Sequence, residues 1–204
     1  MNTPRTGTEG VVTFTAMEAG TADDYRLLDR LEREHAAGLG NRILDALERL
    51  TDSLGGYQIT RLEHSLQCAT RARTDGADDD WVVAALVHDI GDELAPYNHA
   101  ELAAAVLRPY VREEVTWVVE HHAVFQSWYF AHHLGGDRHR RDEFAGHPWA
   151  DLCAEFCARW DQSSFDPAHP IDPLDSFAEQ VHTVFGRPAN DPSVVAAGRA
   201  RLIG

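Results

Sequence analysis

From Thr21 onward, hydrophobic positions recur with the period of an α-helix. Thr21 and Asp24 have the spacing of a capping box, and Tyr25, Leu28 and Leu31 follow at helical intervals, which predicts a first helix. A second is predicted over 41–50, ended by Gly55-Gly56. Over 57–73, Ile59, Leu62, Leu66 and Ala69 share one stripe, while Tyr57, His64 and Cys68 fall on another face. Residues 81–87 are apolar on every side, as in a fully buried helix, with Asp78, Asp79 and Asp80 where a helix N-terminus favours acids. That helix ends in His88-Asp89. A short helix over 98–107 carries His99 in its first turn. In the next, Val111, Val115, Val118, His122, Phe125 and Tyr129 repeat at alternating four and three, so His122 takes an inward position and His121 points about a quarter-turn away. Residues 132–148, rich in His, Arg and Gly, read as an ordered loop. Trp149, Leu152, Cys153, Phe156, Cys157 and Trp160 mark a further amphipathic helix ending at Asp161. A proline-punctuated loop, a helix over 174–185 and a short one after 190–193 complete the chain. With no alternating strand pattern and no internal repeat, an all-α fold is expected: a loosely held N-terminal arm over 1–20 and a single helical domain over 21–204.

Composition narrows the function. The net charge of −15 repels nucleic-acid backbones and anionic membrane surfaces. No run approaches the roughly 18 apolar residues of a spanning helix, and residues 1–10 lack the basic start and apolar core of a secretory signal, so a cytoplasmic protein is expected. Three cysteines without a CxxC spacing fit a reducing compartment and read as small buried hydrophobes. All 18 cations are arginine. The absence of lysine excludes a lysine Schiff base and a Walker-type phosphate loop. The 12 histidines are the compositional anomaly.

A buried helix that delivers an ionisable His88-Asp89 pair carries a desolvation cost of several kcal/mol unless a cation meets it. His64, His88-Asp89, His99, His121 or His122, and Asp161 fall on five successive predicted helices. Imidazole with carboxylate is the ligand mixture of first-row metals, and a carboxylate next to a histidine can bridge two cations. Asp92 and Glu93 are candidates for orienting His88 or His64, as are Glu63 and Gln67. Gln126 and Trp128 are candidate pocket-lining residues.

The ordered set His64 in RLEHSLQ, His88-Asp89 in LVHDIGD, His99 in NHAELAAAVL, the pair in EHHAVFQ and Asp161 in RWDQSSFDP resembles the HD superfamily, whose all-α domains bind one or two metals. The resemblance spans most of 57–165. It implies a helical bundle in which His64, His88, Asp89 and Asp161 hold a first metal, and Asp89, His99 and either His122 or His121 a second. Two chemistries compete within that superfamily. Its phosphohydrolases, which use ions such as Mn2+ or Mg2+ on phosphate esters or nucleotides, frequently carry a lysine where this chain has Asp92. LEHSLQ and RWDQ look closest to its di-iron oxygenases, the phosphonate-cleaving relatives of myo-inositol oxygenase, in which an Fe2+/Fe3+ pair activates dioxygen. The resemblance therefore implies a di-iron oxygenase acting with dioxygen on a small polar, phosphonate-like molecule, with metal-dependent phosphohydrolysis as the alternative and a metal- or nucleotide-sensing module without turnover as a third reading. Asp92, Gln126 and Tyr57 are the remaining candidates for the catalytic site. The phosphonate-cleaving group closes its iron site with a tyrosine and a glutamate upstream of the first histidine; here the sole counterpart is Tyr57, seven residues before His64. Gly55-Gly56 would let the chain unwind so that this ring folds back as a displaceable lid. Arg138, Arg140, Arg141, His132, His133 and His139 could supply anion contacts from the loop.

Overall fold

The computed structural model describes residues 10–196, 198 and 201–203, so residues 1–9 of the expected N-terminal arm lie outside the described residues. Every regular element in it is helical, and no described helix is long and apolar enough to cross a membrane. The chain divides into two compact units, 1–39 and 40–204. In the first unit, helix α1 (Ala22–Ala37) starts at a capping box in which Thr21 Oγ1 accepts from the Asp24 N–H and the Asp24 carboxylate accepts from the Thr21 N–H at 2.9 Å. That carboxylate also accepts from the Thr13 N–H at 3.1 Å, and Tyr25 stacks on Phe14, which ties residues 13–25 together.

The second unit, from Gly40, takes in α2 (Leu39–Arg49) after its first residue, and Ile43 and Leu47 of that helix are buried. Helix α3 (Arg61–Thr74) starts later than the apolar stripe predicts. Thr60 and Glu63 form a capping box there, and Gly56, with φ +110°, turns the chain beforehand, leaving Tyr57 in the connecting segment. Helix α4 (Asp79–Val87) is capped by Asp78. Its residues 81–87 are all fully buried, each large side chain contributing about 1.5–3 kcal/mol, so the helix that delivers His88 and Asp89 is held from all sides. Gly91 then passes against the start of α5 (His99–Leu107); a Cβ there would lie 2.7 Å from the His99 carbonyl oxygen. Glycine is what lets His99 approach the α4 terminus.

Helix α6 (Glu113–Phe130) packs along α5 and α7 (Ala150–Phe156). Between α6 and α7 the His- and Arg-rich loop folds into 3-10 turns at Ala131–Leu134 and Arg138–Phe144, and Arg138 and Arg141 lie 4.1 and 3.8 Å from the Trp128 ring centroid. Helix α7 runs directly into a π-turn, Cys157–Asp161, closed by the Gln162 N–H on Cys157 O at 2.9 Å. The wider turn changes the angular position of its last residue, Asp161. Helices α8 (Ala178–Phe185) and α9 (Pro192–Val195) follow the proline-rich loop.

Candidate metal centre

The ends of α4 and the π-turn, with faces of α3, α5 and α6, converge on one buried cluster. His64 and His88 face each other with their Nε2 atoms 3.1 Å apart. His64 Nδ1 lies 2.8 Å from Ser164 O and His88 Nδ1 lies 2.8 Å from Ala85 O. A carbonyl oxygen can only accept, so each Nδ1 carries a proton, and each Nε2 faces inward, where it offers a lone pair to a metal ion or, with no ion bound, carries a second proton toward a carboxylate. Asp161 Oδ1 is 3.5 Å from His64 Nε2 and 3.8 Å from His88 Nε2, and Asp89 Oδ2 is 3.3 and 3.2 Å from the same two atoms. Two opposed Nε2 atoms and two carboxylates in a water-poor space repel one another unless a metal ion, or protons on the imidazoles, sit among them. Asp161 Oδ2 is also buried without a protein partner among the described residues. The donor set fits a metal ion.

The other oxygen of Asp89 faces a second group. His122 Nε2 and His99 Nε2 each lie 3.3 Å from Asp89 Oδ1. His122 Nδ1 is held by Val119 O at 2.7 Å and His99 Nδ1 by Asp92 Oδ1 at 3.3 Å, so these rings too present Nε2 inward. The two oxygens of one carboxylate thus divide between two imidazole groups, the arrangement that two ions sharing a bridge require. Among the described residues, His64, His88 and Asp161 form one group within reach of a common ion, His88, Asp89 and His122 a second, and Asp89, Asp92 and His99 a third. His121 is in none of them. Its Nδ1 donates to Trp117 O at 2.8 Å and its ring stacks on Trp117 at 4.1 Å.

Charge follows the same pattern. Burial pushes His88 down, but the Asp89 carboxylate beside it outweighs burial and holds it up at about 9. With no ion bound, burial pushes Asp89 up, yet the positive charge of His88 and hydrogen bonds from the protonated Nε2 of His122 and His64 hold it well below the usual carboxylate range. His99, half-open to the cavity, is lowered chiefly by burial.

The cation expected beside His88-Asp89 is Arg61, a residue that motif reasoning passed over. Its guanidinium pairs with Asp89 Oδ2 and, through Nε, with Asp92 Oδ2 at 2.7 Å. The signal was its place one turn before His64, three residues away on the same helix face. Asp92 therefore faces Arg61 and His99, not His88 or His64, and Glu93 lies out by Arg49 at 3.7 Å. Glu63 is occupied by the α3 cap, accepting from the Thr60 N–H at 2.7 Å.

Above the cluster lies a cavity of about 370 Å³ lined by Tyr57, Arg61, Gln126, Tyr129, Phe130 and Phe165 together with the ligand-type side chains. Gln126 Nε2 donates to Asp161 Oδ1 at 3.0 Å. The Phe165 ring, also unanticipated, covers the His64 imidazole at 4.3 Å, and Tyr57 stacks on Phe165 at 5.1 Å. Tyr57 thus roofs the site through Phe165. Trp128 and the arginines stacked on it do not line the cavity. Cys68, Cys153 and Cys157 are free and buried, and burial pushes the Cys68 and Cys157 thiols far above their ordinary value.

Residues 61–164, just over half the chain, match the HD domain family. The chain is similar to a [1-hydroxy-2-(trimethylamino)ethyl]phosphonate dioxygenase (glycine-betaine-forming) of Leisingera caerulea, with 31% identity over 84 residues that cover 36% of this chain and 43% of the relative. The match spans less than half the length of that relative.

Proposed function

The chain belongs to the HD-domain family, and from that premise we propose that it is a metal-dependent enzyme: a non-haem di-iron oxygenase that oxidises or cleaves a small phosphonate-like molecule with dioxygen. The observation that carries the reading is the division of Asp89 between two imidazole groups, Oδ2 toward His64 and His88, Oδ1 toward His99 and His122. His64, His88, Asp89 and Asp161 would hold one ion, and Asp89, His99 and His122 the other. Bound there, an iron pair supplies the activation of dioxygen. The similarity to a phosphonate dioxygenase supports oxygen chemistry and a phosphonate class of substrate.

The surrounding side chains have separate tasks. Asp92 accepts from His99 Nδ1 and so keeps the Nε2 lone pair turned inward. Arg61 pairs with both Asp92 and Asp89 and offsets their charge. Gln126 fixes Asp161 through Oδ1. Tyr57 and Phe165 keep bulk water off His64. A cavity of about 370 Å³ suits a small metabolite, and its rings, Tyr57, Tyr129, Phe130 and Phe165, suit an apolar or cationic end while the ion cluster takes the anionic one. Asp92, tied to Arg61 and His99, takes the motif position where HD phosphohydrolases frequently carry a lysine, which favours oxygen chemistry over phosphohydrolysis.

The test is dioxygen uptake by anaerobically purified, iron-loaded and partly reduced protein, offered a panel of short 1-hydroxyphosphonates with and without an amino or trimethylamino end. Substrate-dependent uptake is expected. Phosphate release from an ester with Mg2+ or Mn2+, with no oxygen uptake on any phosphonate, would move the protein to the hydrolases.

A further inference from the structure

Three side chains on one face of α3 each donate to a main-chain carbonyl of the same short stretch, residues 163–166. His64 Nδ1 reaches Ser164 O at 2.8 Å, Gln67 Nε2 reaches Asp166 O at 2.8 Å, and Arg71 Nη2 reaches Ser163 O at 2.9 Å. Offsets of three and seven residues align these side chains over two helical turns. The stretch begins two residues after Asp161 and is tied back to it: the Ser164 N–H donates to Asp161 O at 3.0 Å and the Ser164 hydroxyl to Trp160 O. Phe165, within the same stretch, is the residue stacked on His64.

We infer that Gln67 and Arg71 are positioning residues of the ion centre, clamping residues 163–166 onto α3 and thereby setting the spacing between His64 and Asp161. The inference rests on the two-ion reading above. His64 and Ser164 are 100 residues apart in sequence, so only tertiary contacts bring the α3 ligand and the π-turn ligand together. Helix α4 and its core hold His88 and Asp89 independently of the clamp, and α5 and α6 hold His99 and His122. Loss of the clamp therefore falls on the ion position that uses Asp161 and spares the one that uses His99. Gln67 is 1% exposed, so its amide has no water to turn to when the carbonyl moves away.

Mn2+ serves as the probe, measured by equilibrium dialysis of the full chain with elemental analysis. Wild-type protein is expected to bind two ions in distinguishable steps, and His99→Ala to remove one of them, which assigns the other to the Asp161 position. Gln67→Leu and Arg71→Met are expected to weaken that other step by about ten- to a hundredfold, the usual effect of removing a group that orients a ligand, and to leave the His99 step within about twofold. Arg71→Lys keeps a donor for Ser163 O and should recover most of the affinity. Two ions bound with both steps unchanged in Arg71→Met and Gln67→Leu overturns the clamp and leaves the two-ion reading intact. Fewer than two ions on the wild-type protein overturns that reading, and the inference with it. Arg71 is only half-buried, so Arg71→Met decides the matter even where Gln67→Leu fails to fold.

Discussion

Asp89→Ala removes the one carboxylate on which four imidazoles and a guanidinium converge, and two effects of different kind should follow. Oδ2 faces Arg61, His64 at 3.3 Å and His88 at 3.2 Å, while Oδ1 faces His99 and His122 at 3.3 Å each, with the side chain 4% exposed. Breaking one partner of a buried ion pair costs about 3–5 kcal/mol. Asp92 still holds Arg61 Nε at 2.7 Å, which places the expected loss near the lower end, about 3 kcal/mol. In a chain of this size each kcal/mol moves Tm by about 2–4 °C, so ion-free Asp89→Ala should melt about 6–12 °C below ion-free wild type. Ion content should fall from close to two per chain to below one, because both positions share the missing oxygens. Calorimetry in the presence of chelator reads the first effect, and elemental analysis after desalting reads the second. Asp89→Asn keeps the shape and an acceptor but not the charge, so it should lose the ions with a smaller loss of stability. Retention of nearly two ions by Asp89→Ala would refute the bridging role, and an unchanged ion-free Tm would refute the account of Arg61.

Ion-free protein should also lose stability between pH 6.5 and about 9: His88 is raised in the folded state from its ordinary 6.5 to about 9, so the stability linked to its proton is complete below 6.5 and disappears as pH rises through 9, on the order of 3 kcal/mol in all. Asp89, depressed in the folded state, acts at the other end, its contribution present above about pH 4 and fading as pH falls further; a Tm flat from pH 6.5 to 9 in chelator would contradict the His88 assignment. Asp92→Asn leaves His99 without its charged acceptor and should weaken the His99 ion position by about ten- to a hundredfold while sparing the Asp161 position, as read by the same Mn2+ dialysis; equal weakening of both would make Asp92 a general stabiliser.

What the sequence made legible, and what it did not, divides along one physical line. Residues whose environment is decided within their own helix could be read directly. The uniformly apolar run over 81–87 implied a helix buried on every side, and its seven residues are all fully buried. The alternating stripe of α6 put His122 inward and His121 aside, and the structure sets His122 against Asp89 and His121 against Trp117. Residues decided by a partner on another element left weaker traces. Arg61 resembles any first-turn arginine until Asp89 and Asp92 arrive beside it, although the cost of burying Asp89 had already demanded a cation there. Phe165 lies in a stretch that has no period, so no pattern could assign it to His64. Tyr57 was misplaced for a related reason. Apolar spacing extended the third helix back to it, but the Thr60–Glu63 capping box satisfies the first N–H groups of α3 four residues later, and a cap outweighs a stripe when the two disagree about where a helix begins. The same displacement frees the ring to reach Phe165, which a tyrosine two turns down a continuous helix could not do. The π-turn is the deepest of these omissions. Trp149 to Trp160 has an ordinary amphipathic pattern, and the extra residue in its last turn appears only when Asp161 must meet His64 and His88, a requirement imposed by helices α3 and α4 and written nowhere in α7 itself.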